Sequence, residues 1–251
     1  MDVVPALATA LRAAGNAVAL CGAGMSTASG LPDFRSQTGL WGRNDWTEVA
    51  TLAAFRRDPD AVWEFYRTRL GALAGAHPNP AHEALASLEA AGLLTAVVTQ
   101  NVDGLHQAAG SERVIQVHGD LTEAVCLRCG AREPRARVEA ALAAAPGAPS
   151  CTCGAPLKPG VVLFGETLPE DAIAEAVALA SECDLMLCLG SSLEVHPVAA
   201  LPDLALEAGA RLAVVTQGPT PYDSQAHLRS HSPLAEVLPA LAAAVGAPGP
   251  R

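Results

Sequence analysis

Charged side chains are scarce in this sequence. Asp, Glu, Lys and Arg make up 17% of it against 50% hydrophobic residues, a balance that permits a substantial core and excludes global disorder. Basic residues are the scarcer sign, with 16 Lys and Arg against 26 Asp and Glu for a net charge of −10. Such a chain lacks the basic surface that binding to phosphate backbones requires, so no sequence-specific nucleic acid is expected as a partner. No apolar run approaches the roughly 18 residues of a membrane span, which argues against a membrane partner as well. The N-terminal stretch Met1 to Leu20 is apolar but carries Asp2 and Arg12 and has no basic start. It reads as a helix running into a strand, not as a signal peptide. Internal repeats are absent, and the 22 glycines and 19 prolines follow no three-residue period. The cysteines number seven, odd for a disulfide framework, and four of them fall in two close pairs. A metal site in the reducing cytoplasm fits that usage better.

What is present is a strand–helix alternation. With 251 residues, one large domain or one plus an insert is expected at roughly 150 residues per domain. Val3, Leu7 and Leu11 recur at helical spacing, and Gly15-Asn16 stops that helix. Ala17 to Cys21 is then a short, continuously apolar run, as in a strand buried on both faces. Similar runs stand at Leu94 to Thr99, Leu185 to Leu189 and Arg211 to Thr216, the last two after alanine-rich stretches at Pro169 to Ser181 and Val198 to Ala208. This alternation predicts an α/β fold, a Rossmann-like doubly wound parallel sheet covered on both faces. Two segments interrupt it: residues 31–73, helical where periodic, and 118–159, which holds both cysteine pairs, four arginines and an alanine-rich helix. The expected division gives residues 1–30, 74–117 and 160–251 to the sheet domain, 31–73 to the helical part of a smaller domain, and 118–159 to a metal-binding module. Residues after Ala243 read as a frayed tail.

Directly after the first strand comes Cys21-Gly22-Ala23-Gly24-Met25-Ser26-Thr27, continuing to Pro32-Asp33-Phe34-Arg35. Glycines at 22 and 24 let the backbone turn and approach a diphosphate, whose charge the following N–H groups can meet. Thr27 stands where the usual dinucleotide fingerprint has its third glycine, so the loop alone is equally a tight turn with no ligand. Further blocks follow: Thr99-Gln100-Asn101-Val102-Asp103-Gly104-Leu105-His106, His118-Gly119, Val161 to Glu166, and Gly190-Ser191-Ser192-Leu193-Glu194-Val195. In this order they resemble the sirtuins, the NAD-dependent protein lysine deacylases, over roughly residues 18–239.

The resemblance implies that NAD is a consumed co-substrate. The acyl oxygen of a modified lysine attacks the ribose carbon as nicotinamide leaves, and the acyl group ends on ADP-ribose. It makes His118 the base that frees a ribose hydroxyl, a role imidazole suits with an ordinary pKa near 6.5, and it gives Asn101 a catalytic part. Cofactor contacts are implied for Gly22, Ala23, Gly24, Asp33, Phe34, Arg35, Gln100, Asn101, Asp103, Gly190, Ser191 and Ser192. The match thins beyond them: Thr216 stands where the family usually has Asn, Ser232 where it has Gly, and Leu234 is assigned to the adenine pocket. Val162, Phe164, Gly165 and Glu166 would form one lip of a cleft and Glu194-Val195 the other, with the acyl-lysine substrate protein lying between them as an added strand. Read without the family, His118 caps a strand end, Asn101 to Gly104 is a helix-capping turn, and Val161 to Phe164 is a core strand.

Cys126-Leu127-Arg128-Cys129 and Cys151-Thr152-Cys153 are separated by residues 130–150. Four soft thiolates on two turns suit one tetrahedral Zn²⁺, structural because four protein ligands leave no open position. The second pair has one spacer residue where the family usually has two. Cys21, Cys183 and Cys188 sit in apolar strand contexts and are expected to be inert.

Val62 to Arg69 looks helical, so Tyr66 and Arg69 share a face. A phenol and a guanidinium make a receptor for a carboxylate. The pair resembles that of class III sirtuins, which remove succinyl and malonyl groups, and Ala50-Thr51 matches their roomy acyl pocket, while Trp46 is bulkier than that pocket suggests. The expected activity is desuccinylation and demalonylation with weaker deacetylation. Mono-ADP-ribosyl transfer, or a non-catalytic ADP-ribose sensor, are the alternatives.

Overall fold

A computed structural model describes residues 3–33 and 46–249, with Trp46 and Thr47 described for the backbone only. In chain order the elements are α1 (Val4–Ala13), β1 (Ala17–Cys21), α2 (Trp46–Val49), α3 (Leu52–Arg57), α4 (Pro59–Ala74), α5 (Pro80–Ala90), β2 (Ala96–Thr99), α6 (Leu105–Ala108) and β3 (Val114–Gln116). There follow β4 (Gly119–Cys126), β5 (Arg132–Pro134), α7 (Arg135–Ala144), β6 (Leu157–Val161), α8 (Glu170–Glu182), β7 (Leu185–Leu189), α9 (Leu201–Glu207), β8 (Arg211–Val215), β9 (Leu228–Ser230) and α10 (Leu234–Val245).

The larger sheet has six strands in the order β3-β2-β1-β7-β8-β9, every pair parallel. β1 explains its own sequence. Val18 and Leu20 join one apolar cluster, with α8 and α9, while Ala17, Ala19 and Cys21 join another, with α1, α5 and α10. A strand covered on both faces has no polar alternation to show. Strand order reverses between β1 and β7, and ligands of such sheets bind at that switch, beyond the carboxyl ends. The motifs singled out in the sequence begin there: Gly22 follows β1, Gln100 follows β2, Gly190 follows β7 and Thr216 follows β8.

The smaller sheet, β5-β4-β6, is antiparallel. It shares an apolar cluster with α4 and α7, in which Trp63, Phe65 and Tyr66 meet Leu121, Cys126, Cys151 and Leu157. The Trp63 indole donates to the Leu157 carbonyl at 2.6 Å, so the helical segment and the cysteine module form one packed unit. Helix α4 begins where Asp58 accepts the Ala61 N–H at 3.0 Å ahead of Pro59. Three of the module's arginines pair with glutamates, Arg132 with Glu123, Arg135 with Glu139 and Arg137 with Glu133.

Three local expectations change. Cys183 caps the end of α8 and is not in a strand; it is buried all the same. The C-terminal helix runs on to Val245, past the expected fraying point, because Leu241 and Ala242 pack on the sheet. Strands β3 and β9 add edges that three-residue runs were too short to announce. Among the described residues, no helix is long and apolar enough to cross a membrane.

Candidate active site

One cleft of about 1480 Å³ opens over the carboxyl edge of the larger sheet, between it and the smaller unit. That volume exceeds the roughly 300–1,000 Å³ of ordinary small-molecule sites and has room for a dinucleotide with a second reactant. Gly22, Ala23, Gly24, Asp33, Gln100, Asn101, Asp103, Gly190, Ser191, Ser192, Thr216 and Leu234 all line it, and so do His118, Tyr66, Arg69, Val162, Phe164, Gly165 and Glu166. Phe34 and Arg35 lie outside the described residues, as does the Trp46 side chain.

The expected turn after β1 forms, with Met25 N–H donating to the Gly22 carbonyl at 3.0 Å, but its φ values are not what demands glycine. Neither Gly22 nor Gly24 has positive φ. A Cβ on Gly22 or Gly24 would instead stand 2.8 Å from the backbone of Gly190 or Ser191. Two loops, after β1 and after β7, are pressed together, joined by Gly22 N–H to the Leu189 carbonyl at 2.9 Å and Gly24 N–H to the Gly190 carbonyl at 2.8 Å. Gly190 is the one that needs the left-handed region, at φ +62°.

The segment after β2 is fixed by side-chain bonds. Gln100 donates to the Ser191 hydroxyl at 3.0 Å. Buried Asn101 donates to the Gly22 carbonyl at 3.0 Å and to Ser26 Oγ at 3.2 Å. The Ser26 hydroxyl donates to Asp103 at 2.6 Å. Asp103 also accepts the Leu105 N–H at 3.0 Å, so it ties down the first turn of α6 while lining the cleft. Ser26 was not singled out from the sequence, nor were Asn79 and His82 beneath it; Asn79 donates to the Met25 carbonyl at 2.8 Å. An Asn-Pro pair opening a helix was the available signal. His82 and His106 meet edge to face at 4.9 Å between ring centres. Burial pushes His82 down to about 4 and His106 to about 3.

His118 is half-buried, and its Nδ1 lies 3.1 Å from the Gln100 carbonyl. A carbonyl only accepts, so Nδ1 carries the proton and Nε2 keeps its lone pair. Burial lowers its pKa, with the Gln100 bond opposing; the ring is therefore a neutral base at neutral pH.

On the lip, Val162 N–H donates to the His118 carbonyl at 2.8 Å, Phe164 N–H to Ala50 at 2.9 Å, and Leu52 N–H to Phe164 at 2.9 Å. Val162 thus extends past the end of β6, and Phe164 is 48% exposed; it is no core strand residue. Buried Lys158 pairs with Glu166 at 2.9 Å, and Glu166 accepts the Leu163 N–H at 2.8 Å, which pins the lip from behind. Ala50 lines the cleft. Thr51 instead caps α3 through Ala54 N–H at 3.0 Å. Glu194 and Val195, expected as the other lip, line the same cleft.

Tyr66 is buried, edge-on to Phe65 at 4.9 Å and to Trp63 at 6.4 Å. Burial pushes its phenol up to about 12, Arg69 opposing, so it stays a neutral donor. The Arg69 guanidinium sits over the Phe65 ring at 5.6 Å.

The four cysteines of the module place their sulfurs within 4.8 Å of one another, with Cys126 to Cys153 at 3.5 Å and Cys129 to Cys151 at 3.6 Å. Zinc–sulfur bonds of about 2.3 Å in a tetrahedron put sulfurs about 3.8 Å apart, so the set fits one Zn²⁺. The single-residue spacer does not prevent both Cys151 and Cys153 from reaching.

With this geometry in hand, the likeness to known proteins is specific. The Sir2 family model matches residues 22–197. The chain belongs to the Sir2 family. The NAD-dependent protein deacetylase of Sulfolobus acidocaldarius is 47% identical to this sirtuin over 85% of the chain and 83% of that protein. An NAD-dependent protein deacylase of Aeropyrum pernix is 44% identical over 92% of each. A solved structure described as "Sir2-p53 peptide-NAD+" superposes with a TM-score of 0.87 at 38% identity, over 95% of this chain and 96% of that one. Another, "Structure of Sir2Tm bound to a propionylated peptide", gives 0.86 at 38% over 94% and 95%. This sirtuin is thus homologous to NAD-dependent protein deacetylases and deacylases.

Proposed function

We propose that this sirtuin removes acyl groups from protein lysines with NAD as consumed co-substrate, and that it favours succinyl and malonyl over acetyl. The observation that carries the first part is the neutral His118 imidazole, oriented by the Gln100 carbonyl at 3.1 Å on the wall of a cleft at the sheet's switch point. Its role is to take the proton from a ribose hydroxyl. Asn101 and Gln100 orient ribose and water, Asp103 receives the nicotinamide carboxamide, and the Gly22–Gly24 and Gly190–Ser192 loops receive the diphosphate. Phe34 and Arg35 belong to the same cofactor set. Thr216 and Leu234 take the adenosine end. The acyl-lysine segment adds between the lips 162–166 and 194–195 as a strand. The cysteine cluster holds structural zinc. The sheet domain (1–30, 74–117, 160–251) binds NAD, and 31–73 with 118–159 form the smaller domain. Four of the seven cysteines fall in two close pairs suited to a metal, a usage that fits the cytoplasm.

The acyl preference rests on Tyr66 and Arg69. Burial lowers the Arg69 pKa, partly countered by Tyr66 and Asp103; a carboxylate arriving beside the guanidinium would relieve that cost. A hydrogen bond to a charged group is worth about 1.5–3 kcal/mol, roughly 10- to 150-fold. The relatives named deacetylase are consistent with acetyl remaining a substrate. Matched acetyl-, malonyl- and succinyl-lysine peptides test this. Tyr66→Phe with Arg69→Met should lower kcat/KM for the acidic acyl groups by about 10- to 150-fold and deacetylation far less. Equal losses on all three peptides would sink the carboxylate receptor. Label from NAD retained on protein without acylated peptide would favour ADP-ribosyl transfer, and binding without nicotinamide release a sensor.

A further inference from the structure

The loop after β8 lines the nucleotide end of the cleft through Thr216, Gln217, Gly218 and Pro219, and it is gripped from behind by two side chains of one neighbouring segment. Arg229, in β9, is only 15% exposed. Its Nη1 donates to the Thr216 carbonyl at 2.8 Å and its Nη2 to the Gly218 carbonyl at 2.6 Å; Nη1 also donates to the Ser230 carbonyl. Its Nε pairs with Asp223 Oδ1 at 2.8 Å, the oxygen that accepts the Thr220 hydroxyl at 2.7 Å. Two residues on, His231 Nδ1 donates to the Gln217 carbonyl at 3.0 Å. Three successive carbonyls, 216 to 218, are therefore all turned toward Arg229 and His231.

A trans peptide is planar, so its N–H points opposite its carbonyl. The Gln217 and Gly218 amides accordingly face away from the clamp, in residues that line the cleft. Only a planar fork with five donors can take several carbonyls and a carboxylate at once. We infer that Arg229, anchored on Asp223 and seconded by His231, is a positioning residue that presents the Gln217 and Gly218 amides to acceptor atoms of the adenosine half of NAD. It sets NAD affinity without taking part in acyl transfer. This rests on the reading of the cleft as an NAD site.

The test is initial-rate kinetics and ADP-ribose calorimetry on the full chain. Arg229→Ala should raise the KM for NAD and the Kd for ADP-ribose about tenfold, with kcat at saturating NAD and the KM for acyl peptide within about twofold. Arg229→Lys should recover part of the loss, since an ammonium reaches one carbonyl but cannot fork. A KM for NAD within about twofold of the parent in a folded Arg229→Ala, or equal rises for NAD and peptide, would overturn the inference. If Arg229→Ala does not fold, Asp223→Ala carries the test: it keeps the guanidinium, removes the oxygen that anchors it, and should weaken ADP-ribose about threefold, and an unchanged Kd overturns the clamp. Parent enzyme that consumes no NAD with any acyl peptide refutes the function, and the ADP-ribose titrations still judge the clamp by themselves.

Discussion

The proposed nucleotide wall of the cleft is main chain and short polar side chains at the ends of parallel strands, whereas the proposed acyl wall is two long side chains on one turn of α4. On the first wall Gln100, Asn101, Ser26 and Asp103 are bonded to one another and to the loops at 2.6–3.2 Å. On the second, Tyr66 and Arg69 are embedded among aromatic rings. The difference teaches where each wall can change. A strand-end loop fixed by two backbones in contact tolerates almost no added atom, while a helix turn can exchange side chains without disturbing its backbone. On the proposed function, cofactor binding would belong to the rigid wall and acyl selectivity to the replaceable one.

Several substitutions and conditions would break or sharpen that contrast. The largest effect belongs to the rigid wall: His118→Ala should lower kcat/KM for every acyl peptide by about 10²- to 10⁴-fold, and near-parent rates would remove it as the base. Next is Gly24→Ala, whose Cβ would stand 2.8 Å from Gly190; the loops must part, and ADP-ribose affinity should fall by at least about tenfold, against no loss for Arg69→Met. If both variants bound ADP-ribose alike, the contrast between the walls would fail. Metal removal should act the other way. Cys126 and Cys151 share their apolar cluster with Tyr66, so a chelator should slowly melt the smaller unit and abolish deacylation while ADP-ribose still binds. An immediate, reversible loss would mean catalytic metal.

The smallest effect is on pH. His118 has a lowered pKa, so kcat/KM should be flat near neutrality and fall only below pH about 6.5. His82 and His106 are neutral in the folded chain down to about 4 and about 3, but titrate near 6.5 once unfolded. Between those values the unfolded chain binds more protons. Their stabilising contribution is full above pH about 6.5 and is lost as pH falls toward about 4. Both ring nitrogens of His106 have no hydrogen-bond partner among the described residues, so His106→Leu should flatten the decline of Tm from pH 7 to 5. An unchanged slope would assign that decline to other groups.

Much of this was legible in the sequence because the informative residues are ones the backbone itself demands. Buried parallel strands show as unbroken apolar runs, and the loops leaving them carried Gly22, Gln100, Gly190 and Thr216. The four cysteines declared their cluster by spacing. Less legible were contacts that only folding creates. Nothing local in Gly22 or Gly24 says that the space their absent side chains leave is filled by Gly190 and Ser191. The support of Asp103 by Ser26, the Asn79–Met25 bond beneath it, and the Lys158–Glu166 pair under the lip join residues distant in sequence or individually unremarkable. Cys183 looked like a strand residue because an apolar run begins two positions later, and the helix cap that ends α8 has no side-chain signature. Thr51 read as part of an acyl pocket, though its hydroxyl is spent on capping α3.

The most direct measurement is a single-turnover reaction with NAD and a succinyl-lysine peptide, quantifying nicotinamide and acyl-ADP-ribose together. The expected result is one nicotinamide released for each acyl-ADP-ribose formed, with none released when the peptide carries an unmodified lysine. Nicotinamide released at the same rate without an acyl group, or deacylated peptide appearing without NAD, would contradict a cleft that couples cleavage of the dinucleotide to removal of the acyl group.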